Sequence, residues 1–185
     1  VGDFIKEKKV TVNQGRYILS YSLVTGPAFI IFTIGNFIGS QKAAAVIAIA
    51  HYVGALINGF FYRNHEEKKE KRKGGGKPPK GDYLENFTDA IVSGFKAMAM
   101  ILAYLMVFTI GINILEHLGV FSVINNQGVA ASFKGIFEMT IGINLVGMCD
   151  MGIRLKSVIA AFLVSFGGLS VAGQSMSMAV SYTHL

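Results

Sequence analysis

Four long stretches of the chain are almost free of charged residues. They cover residues 17–41, 43–62, 97–115 and 157–179, and only His51 within them can carry a charge near neutral pH. A helix rises about 1.5 Å per residue, so about 20 apolar residues cross the roughly 30 Å hydrocarbon core of a bilayer. The pattern therefore predicts four membrane-spanning helices.

A fifth apolar stretch, residues 135–149, is shorter and contains Glu138. It is predicted to be a partial span, a re-entrant segment or an interfacial helix. Arg154 and Lys156 follow it, and such positive residues favour a full crossing because they are retained in the cytoplasm. The sequence leaves these alternatives open.

The composition agrees with a membrane protein. Hydrophobic residues make up 52% of the chain and charged residues 15%, a balance that is rare in soluble domains with a charged surface. We therefore predict an all-α fold, a polytopic transmembrane helical bundle with interrupted helices. The single cysteine, Cys149, excludes a disulfide within this chain.

Both ends of the chain are unusual. Residues 1–16 are polar and have neither an initiating Met nor the apolar core of a signal peptide. We expect this end to be internal to a longer protein. Residues 180–185 resemble one translated reading frame of a sequencing adapter, so they are expected to be a non-native tail, with native sequence stopping near Ala179.

A basic segment separates the second stretch from the third. Residues 63–81 combine a run of charged residues with three glycines and two prolines, which is typical of a solvated linker. The net charge of +6 is concentrated here, and the positive-inside rule places such a segment in the cytoplasm. The predicted parts are residues 1–62, a lead-in with a two-helix transmembrane hairpin; residues 63–96, a basic cytoplasmic linker; and residues 97–179, a second transmembrane segment.

Helix-breaking residues interrupt two of the apolar stretches. An unpaired backbone group in lipid costs several kcal/mol, so such breaks occur where they are buried in protein or face water. Each break is either part of a cavity, where a helix N-terminus meets an anionic or carbonyl-bearing ligand, or a site of helix kinking and packing. The residues concerned are Thr25, Gly26 and Pro27 in the first stretch and Gly167, Gly168 and Ser170 in the last.

Polar side chains inside the apolar stretches are further candidates. His51 and Asn58 lie on one stripe of the second predicted helix with Gly54 and Tyr62, and this stripe should face protein. Glu138 would need partners or protonation if it is buried; its alternative is a position in headgroup water. The candidate substrate-binding residues are Thr25, Gly26, Pro27, His51, Asn58, Glu138, Thr140, Asn144, Gly167, Gly168, Ser170 and Gln174.

Enzyme motifs are absent from the sequence. It contains no P-loop, no His-Glu-x-x-His pair and no Gly-x-Ser-x-Gly element. We therefore predict no enzymatic activity, no catalytic residues, no metal and no cofactor.

Four segments together resemble a known family. They are SLVTGPAFII (residues 22–31), IAIAHYVGALING (47–59), GIFEMTIG (135–142) and AFLVSFGGLSVAGQ (161–174). In this order they resemble the second half of the YlbJ-type sporulation membrane proteins, within the nucleoside-recognition (Gate) superfamily. The resemblance implies a multi-pass cell-membrane protein of endospore-forming bacteria that takes part in spore cortex formation and has a fold related to nucleoside transporters.

Two functions from different classes fit these observations. The first is a transporter-like protein that binds a small polar solute, nucleoside-like or a cell-wall precursor, near mid-membrane. The alternative is a non-transporting membrane scaffold for spore cortex assembly, which recruits partners through residues 63–81. The expected partners are the lipid bilayer, a small polar solute, and either further copies of the chain or other sporulation membrane proteins; nucleic acid is not expected.

Overall fold

The structure, a computed structural model, describes residue 10 and residues 12–62 and 83–181. The predicted all-α fold is confirmed, since this part of the chain contains helices and no strand. The predicted basic linker up to residue 82, most of the lead-in and residues 182–185 of the tail lie outside the described residues. The helices are α1 (Val12–Ser22), α2 (Phe29–Ile38), α3 (Gln41–Tyr62), α4 (Tyr83–His117), α5 (Gln127–Phe137), α6 (Met139–Met148), α7 (Ile153–Phe166) and α8 (Gly168–Ser181).

Within the described residues, three helical segments are long and apolar enough to cross a membrane. They are Gln41–Tyr62, Phe87–His117 and Ile153–Ser177, the last of which joins α7 to α8 across a break. One boundary differs from the sequence prediction: α4 begins at Tyr83, so residues 83–96 are helical rather than part of an unstructured linker. Their mixed polarity concealed this part of the helix from a prediction based on uninterrupted apolar length.

The helices α1 and α2 are separated by a break and run antiparallel to α3, so the first of the four predicted spans has no counterpart among the candidate spans of the described residues. Near the end of α3, Gly59 packs closely against Tyr21 of α1. A Cβ atom added to Gly59 would lie only 2.9 Å from the Tyr21 Cβ. Near the start of α3, Ile47 packs in the same buried cluster as Ile34 of α2. Residues 23–26, between α1 and α2, are not helical, and the chain becomes helical again at Pro27, a favoured first position of a helix.

The helices α5 and α6 form a hairpin whose closed end is Glu138. Gly135 and Gly142 meet backbone to backbone just below this end, since a Cβ on Gly142 would overlap the Cα of Gly135. At the open end Gly128 contacts Met151. The arms contain 11 and 10 residues, so each is about 15 Å long, half the thickness of a bilayer core. Residues 135–149 therefore have the geometry of a re-entrant segment, and a full crossing by them stays a question for experiment.

The hairpin turns at Glu138 because this residue alone leaves the helical conformation. Its φ of −143° and ψ of 112° are extended, and its side chain caps the N-terminus of α6. The Ile141 N–H donates to Glu138 Oε2 over 2.7 Å, which satisfies one of the backbone donors that a helix start leaves unpaired.

The break between α7 and α8 depends on two successive glycines. Gly167 and Gly168 have φ values of 78° and 77°, in the left-handed region where a side chain costs about 1–2 kcal/mol per residue. The Gly167 N–H donates to Leu163 O over 2.8 Å and so closes the last turn of α7. The interruption predicted from the Gly-Gly pair is thus present in the fold.

The buried core lies between α2, α3, α6 and α7. It includes Ile34, Ile47, Ile143 and Leu163. α4 lies outside this core and packs against α8, where Tyr104 covers Gly173. Most side chains of α4 are exposed, as expected for a helix that faces lipid.

Candidate functional site

The first break is held in place by two side chains of α3. The Thr25 N–H donates to His51 Nε2 over 3.1 Å, and the Tyr52 hydroxyl donates to Thr25 O over 2.6 Å. Both backbone polar groups of Thr25 are therefore paired although the residue lies outside any helix. In a membrane interior such pairing removes a penalty of several kcal/mol for each group.

His51 also connects the first break with the second. Because its Nε2 accepts the Thr25 N–H, Nδ1 carries the hydrogen of the neutral ring and can donate to Ser165 Oγ, which lies 3.4 Å away. Ser165 is two residues before Gly167, where α7 ends. A continuous series of polar contacts thus runs from Thr25 through His51 to the α7–α8 break.

The second break in turn packs on the closed end of the hairpin. A Cβ on Gly168 would lie 3.2 Å from Met139 N, 3.3 Å from Phe137 O and 3.4 Å from Gly135 O. Gly168 therefore touches the backbone on both sides of Glu138. The carbonyl groups at the end of α5 have no partner within that helix, so the break faces polar backbone atoms.

Two buried polar side chains flank this contact along the chain. Glu138 is 3% exposed, and one of its oxygens, Oε2, accepts the Ile141 N–H. Ser170, in the first turn of α8, is 1% exposed, and its Oγ has no hydrogen-bond partner among the described residues. An unsatisfied buried hydroxyl costs about 1–3 kcal/mol, so it marks a position where a polar ligand group would be stabilised.

The structure thus brings together part of the predicted set and leaves other members apart. The backbone at Thr25, Gly26, Gly167 and Gly168 and the side chains of His51, Glu138 and Ser170 lie at connected breaks. Thr140, Asn144 and Gln174 are half-buried and Pro27 is exposed, and none of the contacts described above connects them to these breaks. Whether any of these residues binds a solute stays a prediction.

The prediction that the His51 stripe faces protein fits His51 but not Gly54 or Tyr62. Gly54, Asn58 and Tyr62 are exposed, and a Cβ on Gly54 would meet nothing within 4 Å. The helical spacing was right, but α7 reaches α3 only near His51 and ends at Phe166. The later turns of α3 therefore lack this neighbour.

Two residues of the site were missed from the sequence. Tyr52 and Ser165 supply hydrogen bonds to Thr25 and His51, yet neither was singled out. The available signal was weak: Tyr52 follows His51 directly, and Ser165 precedes the Gly-Gly pair by two residues. Farther along α8, the Ser177 hydroxyl hydrogen-bonds the Tyr104 hydroxyl of α4.

Comparison with known proteins gives one informative similarity. No family model matches the chain, and no solved structure matches it. The chain is 23% identical over 202 residues to the "Sporulation integral membrane protein YlbJ" of Bacillus subtilis (strain 168), an alignment that covers 91% of the chain and 50% of the relative. The chain spans about half the length of this curated relative.

This similarity confirms the resemblance read from the four sequence motifs. It agrees with the helices of the structure that are long and apolar enough to cross a membrane. The chain is an all-α membrane protein and a homologue of a sporulation integral membrane protein.

Proposed function

We propose that the chain forms the second half of a transporter-like protein of the cell membrane, which binds a small polar solute between its interrupted helices. The solute is nucleoside-like or a cell-wall precursor, and the protein contributes to spore cortex formation. The observation that supports this most is the connection of three breaks through Thr25, His51 and the Gly168–Glu138 contact. In membrane transporters, solute sites lie where discontinuous helices meet near mid-membrane.

The chemistry at the breaks favours a solute with several hydroxyl or N–H groups. Glu138 uses Oε2 in its helix cap, so its other oxygen can accept a hydrogen bond from a solute. The Ser170 hydroxyl can both donate and accept, and it has no partner among the described residues. A sugar-bearing solute would satisfy both groups, because adjacent hydroxyls donate and accept side by side.

The orientation of the protein is part of the same proposal. The basic residues 63–81 are placed in the cytoplasm by the positive-inside rule. The re-entrant hairpin then opens towards the opposite side, at the same end as the turn between α2 and α3, because Gly147 of α6 touches the Phe37 backbone of α2. The closed end of the hairpin at Glu138 lies deeper in the bundle than its open end, where α5 starts and α6 ends.

The decisive experiment is solute binding by the full-length protein in lipid nanodiscs. Isothermal titration with a panel of nucleosides and soluble cell-wall precursors should find a ligand whose affinity falls about tenfold in Ser170→Ala, which corresponds to the loss of one hydrogen bond. Ser157→Ala is the matched control, because the Ser157 hydroxyl bonds only its own helix, at Ile153 O. Equal affinities in the two variants would contradict the proposed site.

The scaffold alternative predicts a different result. If residues 63–81 recruit partners, their replacement by a neutral linker of equal length should abolish spore formation. The solute-site variants should then sporulate normally. Under the transporter-like function the linker exchange is tolerated and Ser170→Ala impairs sporulation.

A further inference from the structure

A second polar site lies at the open end of the hairpin, away from the breaks. An open cavity of about 420 Å³ is lined by the end of α4, the 3-10 turn Val120–Val123 and the two hairpin arms. The cavity extends to Gln127 and Met148 at the open ends of the arms, and its lining does not include Glu138, Gly168 or Ser170. It is therefore distinct from the proposed solute site.

The cavity contains a buried lysine. Lys134 is 8% exposed, its Nζ lies 2.7 Å from Glu116 Oε1, and the same atom lies 5.0 Å from the centroid of the Phe121 ring. An ammonium group has three N–H donors, and Glu116 accepts only one of them. Lys134 therefore has donors left for a ligand.

Glu116 has spare capacity as well. Its side chain is 56% exposed, and its contact with Lys134 uses Oε1 alone. The second carboxylate oxygen can accept hydrogen bonds from a molecule in the cavity. The rest of the lining is mainly apolar and includes Phe121, Ile124, Leu145 and Met148.

From this arrangement we propose that the cavity binds a small zwitterion, a molecule with an anionic group and a primary ammonium group. The anion lies on the Lys134 ammonium, the ligand ammonium lies on the Glu116 carboxylate, and the apolar part packs against Phe121 and Met148. A simple anion would bring its charge close to Glu116 and a simple cation close to Lys134. A zwitterion adds no net charge and pairs both groups, which is favoured where the local dielectric constant is low.

This chemistry has two sources. One is a free amino acid with an apolar side chain, and the other is the phosphoethanolamine headgroup of a membrane lipid. Both carry an anion and a primary ammonium a few bonds apart. A choline headgroup lacks N–H donors and therefore cannot replace the interaction with Glu116.

The test uses full-length protein in nanodiscs of phosphatidylcholine. Leucine is titrated by calorimetry, and separately a fraction of the lipid is replaced by phosphatidylethanolamine and the thermal midpoint is measured. A zwitterion site predicts leucine binding or a raised midpoint in phosphatidylethanolamine; the first outcome assigns a free amino acid and the second a lipid headgroup. If neither probe has an effect, the proposal is overturned.

Variants separate binding from a merely structural ion pair. Glu116→Gln alone would leave Lys134 charged and buried without a counter-ion, so the double variant Lys134→Met with Glu116→Gln removes both charges together. We expect it to fold and to lose at least tenfold in affinity, or the whole lipid-dependent shift, whereas Lys42→Met, on an exposed residue, should behave as the unmodified protein. Unchanged binding in the double variant would refute the site, and Ser170→Ala should leave it unaffected.

Discussion

Two transmembrane regions of similar hydropathy are used in opposite ways. Of the 18 most apolar consecutive residues of the uninterrupted helix Phe87–His117, 6% are buried. Of the corresponding 18 residues of the interrupted segment Ile153–Ser177, 28% are buried. An unbroken helix satisfies its own backbone and can face lipid on most sides. A broken helix leaves backbone N–H and C=O groups without partners in the helix. These groups need hydrogen bonds from other parts of the protein, so the broken helix packs inside the bundle, next to polar side chains.

The largest expected effect concerns which segments cross the membrane. If α4 crosses and the α5–α6 hairpin returns, Ser40→Cys and Asp150→Cys should react with a membrane-impermeant thiol reagent from one side only. Gly75→Cys should react only from the other side, the cytoplasm under the positive-inside assignment. The background carries Cys149→Ser, which removes the native thiol. Labelling of Asp150→Cys from the same side as Gly75→Cys would show that residues 135–149 cross.

The next largest effect is expected at the glycine contact inside the hairpin. Gly142→Ala places a methyl group into the Gly135 backbone, and no rotamer change can relieve this overlap. We expect a loss of about 3 kcal/mol or more in the free energy of unfolding, visible as poor accumulation and a lower thermal midpoint.

Gly111→Ala is the matched control in α4, because a Cβ there meets nothing within 4 Å. Alanine favours helix over glycine by up to about 1 kcal/mol, so the control should be neutral or slightly stabilised. Equal midpoints for the two variants would mean that the interrupted region is no more tightly packed than α4.

A smaller effect is expected at His51. His51→Ala leaves the Thr25 N–H without its acceptor, which should cost about 1–3 kcal/mol in stability. Leu56→Ala on the same helix is the comparison, since Leu56 is 68% exposed and its loss should change the thermal midpoint little. If the two variants lose equal stability, His51 does not hold the first break.

The smallest effect on stability is expected at Glu138, where function should change most. In Glu138→Gln the amide oxygen can still accept the Ile141 N–H, so the cap of α6 survives and stability should fall by less than about 1 kcal/mol. Solute binding or sporulation should nevertheless be lost, because the amide replaces a carboxylate oxygen with a donor. Glu138→Leu should lose the cap as well as the function.

A Glu138→Leu protein that is fully functional at normal abundance would remove Glu138 from the site. The burial of Glu138 at the closed end of the hairpin would then be a matter of helix capping alone. This outcome would leave Ser170 and His51 as the remaining side chains of the proposed site.

The sequence by itself determined the class of the protein and the positions of its interruptions. Bilayer thickness fixes the length of an apolar helix, and three of the four uncharged stretches coincide with helical segments of the described residues that are long and apolar enough to cross a membrane. Gly167, Gly168 and Pro27 act on their own backbone, and local effects of this kind can be read without a structure. The membrane depth of the helix Met139–Met148 could not be predicted in this way, because a short apolar stretch fits a partial span, a re-entrant segment or an interfacial helix.

Only the tertiary structure decided which polar groups meet. The Thr25–His51 bond joins positions 26 residues apart, and the His51–Ser165 contact joins positions 114 apart; neither follows from periodicity along a helix. The direction of the hairpin also depends on packing, since its arms come together where Gly142 meets the Gly135 backbone. Lys134 shows the same limit: its pairing with Glu116 was hidden because the two residues lie on different helices.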